Sequence, residues 1–243
     1  MKKTGAVMRM KSTMLVMALA VMLVCCVTVS TGYAVSIIEM EKLASQGDAE
    51  VQQSVAIMYY NGDGVAQDYA KAAYWYGKAA AQGRVMAQHN LGDMYYSGQG
   101  VAQDHTKASY WYEQSAEQGY AGAQYKLAMM YYQGDGVAEN NIKCAYWLEK
   151  AAEQGHVKAQ GSLGYMYYGG KGVVQDYAKA AYWTGKAAEQ GKGSAQYLLG
   201  MMYYNGEGVT QDKQKACSLY RAAADQDIQE ALDFYVRDCQ FGG

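Results

Sequence analysis

The side chains best equipped for chemistry in this chain are three histidines, five cysteines and 25 tyrosines, and of these the tyrosines are the most regularly spaced. His89, His105 and His156 stand at no metal-ligand spacing from a cysteine or from one another, so the sequence predicts neither a metal site nor a cofactor. No serine is followed by lysine at the third position, which removes the Ser-x-x-Lys pairing of a nucleophile with its base. The acidic glycine loop Asn61-Gly62-Asp63-Gly64 superficially suits calcium, but at 36-residue intervals Asp63 is answered by Gln99, Lys171 and Glu207. Calcium requires several oxygen ligands held together, and these loops do not repeat them. No catalytic residue is nominated, and the chain is expected not to be an enzyme. Tyrosine offers rigid apolar area with a hydroxyl at its tip, which is the chemistry of recognition.

The tyrosines keep a strict period. Pairs fall at Tyr59-Tyr60, Tyr95-Tyr96, Tyr131-Tyr132, Tyr167-Tyr168 and Tyr203-Tyr204, each 36 residues after the last. Met58, Met94, Met130, Met166 and Met202 run in the same register, and a G-x-G-V element follows each pair. Trp75, Trp111, Trp147 and Trp183 hold the period, with Leu219 in the fifth place, and Gly83, Gly119, Gly155 and Gly191 close the units. A fixed period of this length marks a repeat array.

Each unit reads as two helices. In the second, Ala87, Leu91, Met94 and Tyr95 recur at helical spacing and form one apolar face. Ser97-Gly98-Gln99-Gly100 breaks that helix, since glycine tolerates the positive φ that follows a last helical turn. Asp104 then supplies an N-cap, as do Asp68, Asn140, Asp176 and Asp212 in the other units. The second helix carries Ala108, Trp111, Ser115 and Ala116 and stops at Gly119. A single pair cannot bury its apolar stripes, whereas stacked pairs can. The predicted fold is therefore all-α, an α-α superhelix (solenoid) of five 36-residue helix-turn-helix repeats with terminal cap helices. The repeats span 48–83, 84–119, 120–155, 156–191 and 192–227, between cap helices in 35–47 and 228–243.

The pattern A-x-x-x-L-G-x-M-Y-x-x-G-x-G-V-x-x-D, continued by A-x-x-W and A-x-x-G, resembles the Sel1-like repeat, a relative of the tetratricopeptide repeat, over residues 48–227. Val51, Asn140 and Asp227 depart from it, at the places of an alanine, an aspartate and the closing glycine. The resemblance implies that Tyr95 and its equivalents belong to the core. It also implies that Tyr60, Tyr96, Tyr132, Tyr168 and Tyr204 face a concave groove, although packing between neighbouring first helices would explain these rings equally well. Some Sel1-like proteins have been linked to β-lactams, so the resemblance also admits a hydrolase or binder acting on β-lactam or cell-wall-like substrates.

The first 34 residues read as a signal peptide. A basic stretch from Met1 to Lys11 precedes an apolar run from Met14 to Val29, and Gly32 and Ala34 suit cleavage after Ala34. The run is short for a spanning helix, which needs about 20 residues, so a membrane partner is expected only if the segment is retained. Cys25 and Cys26 lack the small residue that should precede a lipidated cysteine. A periplasmic or secreted location follows. The remaining residues carry 17 basic and 23 acidic side chains with no basic patch, which disfavours nucleic acid as a partner. Cys144 stands where alanine stands in the other units and reads as a small core residue. Cys217 and Cys239 flank a turn near Asp227 at similar distances, so they form either a disulfide or two free thiols.

Variation between units points to a binding face. Gln53 becomes His89, Tyr125, Gly161 and Tyr197, and four residues on Ile57 becomes Asp93, Met129, Tyr165 and Met201. Asn61 becomes Ser97, Gln133, Gly169 and Asn205, on the same helix face as the second tyrosine. Aromatic and aliphatic side chains at positions free to vary resemble an interface core. The groove candidates are Tyr60, Tyr96, Tyr132, Tyr168, Tyr204, His89, Asp93, Tyr125, Met129, Tyr165 and Tyr197. The expected function is a non-enzymatic scaffold or adaptor that binds a peptide or helix of another protein.

Overall fold

A computed structural model of the chain describes residues 36–240. The expected leader, the expected cleavage after Ala34, and Cys25 and Cys26 lie outside the described residues. Among the described residues there are twelve α-helices and no strand. They are α1 (Ile37–Ala44), α2 (Ala49–Asn61), α3 (Tyr69–Ala81), α4 (Val85–Ser97), α5 (His105–Glu117), α6 (Ala121–Gln133), α7 (Asn141–Glu153), α8 (Val157–Gly169), α9 (Tyr177–Glu189), α10 (Gly193–Asn205), α11 (Lys213–Ala224) and α12 (Gln229–Phe234). Each helix packs mainly on the one before it and the one after it, the connectivity of a solenoid. No helix among the described residues is long and apolar enough to cross a membrane.

Caps and glycines set where each helix starts and stops. Asp68, Asp104, Asn140, Asp176 and Asp212 each accept a hydrogen bond from the backbone N–H three residues on, at 2.9–3.0 Å. A cap of this kind contributes about 1 kcal/mol. The two glycines of each G-x-G element have different duties. Gly98 takes the left-handed conformation that ends α4, with its N–H on the Met94 carbonyl. Gly136 instead lies against the start of α5, where a Cβ would come within 2.3 Å of the His105 carbonyl group. Gly100, Gly172 and Gly208 press on the preceding repeat in the same way, whereas Gly64, in the first repeat, meets nothing within 4 Å. The second glycine is a docking point between repeats.

A ladder of glutamines does the same work inside. The Gln88, Gln124 and Gln160 side-chain amides donate to the carbonyls of Ala80, Ala116 and Ala152 in the preceding helix, at 3.0–3.2 Å. Their oxygens in turn accept from Gln118, Gln154 and Gln190 at 2.7–2.8 Å. Each buried glutamine thus joins three helices with both ends satisfied. Gln52 finds the Ala44 carbonyl of α1, so the first helix stands in for a missing second helix.

The core lies between the two helices of each pair and their neighbours, with Leu91, Met94, Leu127, Met130 and Leu163 buried. Tyr59, Tyr131 and Tyr167 are buried and Tyr95 and Tyr203 partly so. A lysine twelve residues on lies over each of these rings, from Lys71 over Tyr59 to Lys215 over Tyr203, at 4.2–5.3 Å. At the far end the cap is not one continuous α-helix. After α12 the winding widens to a π-helical turn over Tyr235–Gln240, and this turn carries Cys239. Cys239 is disulfide-bonded to Cys217 of α11, with the Cα atoms 5.6 Å apart. Asp227, in the place of the closing glycine, holds φ at +62°.

Candidate functional site

None of the second tyrosines belongs to the buried core. Tyr60, Tyr96, Tyr168 and Tyr204 are half-buried and Tyr132 is exposed. Each except Tyr204 meets the residue 39 places on, in the next G-x-G loop. The Tyr60 hydroxyl donates to Gln99 at 3.2 Å and the Tyr168 hydroxyl to Glu207 at 3.0 Å. Tyr96 lies beside Asp135, and the Lys171 ammonium sits 4.0 Å over the Tyr132 ring. Burial, and then the Glu207 carboxylate, push the Tyr168 hydroxyl up to about 12. The loop residue that varies from Asp63 to Glu207 is therefore matched to a tyrosine of the preceding repeat, from the second repeat onward. Tyr204 has no following repeat, and Lys213 lies 5.2 Å from its ring.

The varied first-helix series stay off the core: no member of the Gln53, Ile57 or Asn61 series is fully buried. In the second repeat they form a closed polar cluster. The Tyr112 hydroxyl donates to Asp93 at 2.6 Å, and Asp93 also pairs with His89 and Lys126, each at 3.3 Å. Burial lowers the His89 pKa, with Asp93 opposing. His105 pairs with Asp135 and stacks on Tyr96, and His156 caps α8 while stacking on Tyr125. Among the described residues no histidine is hydrogen-bonded to a serine or cysteine. The Cys144 thiol is fully buried, 3.7 Å from the Met166 sulfur, and burial pushes it up to about 11. It belongs to the core. Tyr197 is covered at the C-terminal end, with its ring 6.1 Å from Phe234.

Between the third and fourth repeats the face opens into a cleft of about 610 Å³. From α6 it takes Tyr125, Met129 and Tyr132, and from α7 Cys144 and Leu148. Lys158, Gly161, Ser162, Tyr165 and Met166 line it from α8, with Lys171 in the loop and Lys192 at the start of α10. Four groove candidates meet here: Tyr125, Met129, Tyr132 and Tyr165. The remaining seven lie outside it. The cleft exists because two ring positions are empty. Tyr76, Tyr112 and Tyr220 are buried where Leu148 and Thr184 stand in the other units, and Gly161 stands where Tyr125 and Tyr197 stand. The sequence signal for position 148 is the break in the series Tyr76, Tyr112, Leu148, Thr184, Tyr220, which the 36-residue pattern of recurring residues does not include. Lys158 and Lys192 were missed too, since each lies outside the helix face that was followed.

The Sel1 repeat family model matches residues 49–83, 85–120, 121–156, 157–192 and 193–235. The chain belongs to the Sel1 repeat family. Among solved structures it is similar to a protective antigen of uropathogenic Escherichia coli with an SLR fold, at 38% identity and a TM-score of 0.80, over 85% of this chain and 44% of that one. It is also similar to a Sel1 repeat protein from Oxalobacter formigenes, at 37% identity and a TM-score of 0.69, over 82% of this chain and 57% of that one. The chain thus spans about half the length of these two proteins. No curated protein matches it. Sel1 repeat proteins are generally scaffolds for protein–protein interaction.

Proposed function

We propose that this chain is a non-enzymatic scaffold or adaptor outside the cytoplasm, binding a peptide or helix of another protein along the face of its first helices. The observation that carries the reading is the cleft between the third and fourth repeats. Side chains from two of the varied series, Tyr125, Met129, Gly161 and Tyr165, meet there around one opening of about 610 Å³. That size and its aromatic lining suit a bound side chain better than a bare solvated surface. Outside the cleft, Tyr60, Tyr96 and Tyr168 turn their hydroxyls to the next repeat. An extracytoplasmic location rests on the basic and apolar pattern of residues 1–34.

The test is affinity capture of the exported form against a variant carrying Tyr96→Ala, Tyr132→Ala and Tyr168→Ala. The variant should lose a captured protein while its helical circular dichroism is kept. Unchanged capture would remove the groove from the function. N-terminal sequencing of the exported form should begin at Val35, and recovery of Met1 would overturn the cleaved leader.

A further inference from the structure

The charge around the cleft runs against the rest of the chain. Beyond residue 34 acidic side chains outnumber basic ones by 23 to 17, yet the cleft carries Lys158, Lys171 and Lys192 and no carboxylate. The equivalent places around the preceding repeat pair hold Gly122, Asp135 and His156. Among the described residues none of the three lysines forms an ion pair. Lys171 is held at the rim by the Tyr132 ring. Apart from Ser162 and Ser194 the rest of the lining is apolar or aromatic, with Tyr125, Met129, Leu148 and Tyr165. A ligand that matches this lining has an apolar side chain to fill the floor and negative charge on either side of it.

From this arrangement we infer that the cleft takes an acidic peptide segment, one apolar or aromatic side chain inserted between α6 and α8 and flanking carboxylates drawn to Lys158, Lys171 and Lys192. A peptide suits the site better than a compact anion, because the three cations come from the start of α8, the loop after it and the start of α10, spread around an apolar opening. The inference rests on the scaffold reading above and names the chemistry of the partner.

The test uses the folded exported chain and two arrays of pentapeptides, Glu-Asp-X-Asp-Glu and Lys-Lys-X-Lys-Lys, with X run through the natural side chains. Acidic members with apolar X should be retained, more weakly as salt rises, and basic members should not. Joint Lys158→Glu, Lys171→Glu and Lys192→Glu substitution should lower the affinity at least about ten-fold, the effect of 1.4 kcal/mol. Joint Leu148→Tyr and Gly161→Tyr substitution should block binding by filling the floor. At Gly161 the nearest atom to an added Cβ is the Ala187 Cβ at 3.8 Å, so a side chain has room there.

Retention independent of X, equal retention of both arrays, or no retention of any acidic member would overturn the inference. So would binding of phosphatidylglycerol vesicles, lost with the lysines, without binding of the acidic array. The same variants are carried through the affinity capture. If a captured protein is lost with the tyrosines but kept without the lysines, the inference falls and the scaffold reading stands. If no protein depends on the tyrosines, the scaffold reading itself falls.

Discussion

The junction between the second and third repeats and the junction between the third and fourth have one frame and two different fillings. Both are docked by a second glycine, Gly136 on His105 and Gly172 on Asn141. Both are tied by a buried glutamine, Gln124 to Ala116 and Gln160 to Ala152. At the first junction Tyr112 lies under Gly92, where a Cβ would come within 2.8 Å of its ring, and its hydroxyl holds Asp93. At the second, Leu148 and Gly161 leave the space open. The frame depends on backbone approach, which admits few residue types. The filling depends on side-chain volume, which a solenoid can change one unit at a time without disturbing its neighbours.

If the frame is common, removing it should cost the same at both junctions. Gly136→Ala and Gly172→Ala each put a Cβ against backbone as well as into positive φ, and each should cost about 4 kcal/mol or more. Gly64→Ala has the same strain, with φ at +73° but nothing within 4 Å, and should cost only about 1 kcal/mol. Urea midpoints for the three variants check this, and equal losses at Gly64 and Gly136 would break the docking account. The filling should behave oppositely. Tyr112→Leu copies one of the two empty ring positions into the closed junction, and emptying a fully buried ring site should cost about 2–3 kcal/mol. It should also create a second cleft, visible as new binding of a small apolar dye. No loss of stability would mean that Tyr112 is not the filler.

These two layers were legible in the sequence to different degrees. The frame was almost wholly readable, because the glycines, the capping Asp68 to Asp212 series and the Trp75 to Trp183 series recur at a fixed interval. Even so, period alone did not say why the second glycine is required, since that depends on the preceding repeat's helix start lying against it. The buried glutamines were overlooked for a related reason. A polar residue at fixed spacing looks like surface until its partners, such as the Ala116 carbonyl and Gln154, are seen in space. The site was half readable. Variation at Tyr125, Met129 and Tyr165 pointed to the face on which the cleft opens, but the cleft is defined by what is missing at Leu148 and Gly161, on two different helices. An absence of volume has no signature along a single helix.

The glutamine ladder offers a smaller test of the common frame. Gln124→Leu and Gln160→Leu each strand a buried carbonyl and a second glutamine, and each should cost about 2 kcal/mol by thermal unfolding. A difference well above that between the two would show that the open cleft has loosened its own frame.

The smallest expected effect is a pH dependence at the closed junction. His89 belongs to the closed cluster, and burial lowers its pKa below the usual 6.5. Below that value the unfolded chain takes up a proton that the folded chain resists, so this group's contribution is complete above pH 6.5 and is lost as pH falls toward the folded value. Asp93 favours the protonated ring and Lys126 disfavours it, so the net loss should be modest. At the open junction the first-helix equivalent is Tyr125, which carries no charge change in this range. Thermal unfolding at about pH 7.5 and about pH 5.5 should therefore show a smaller drop for His89→Gln than for the parent chain. Substituting Tyr125→Phe should leave the drop as it is. Equal drops in the parent and His89→Gln would mean that the buried imidazole is not what makes the closed junction sensitive to acid.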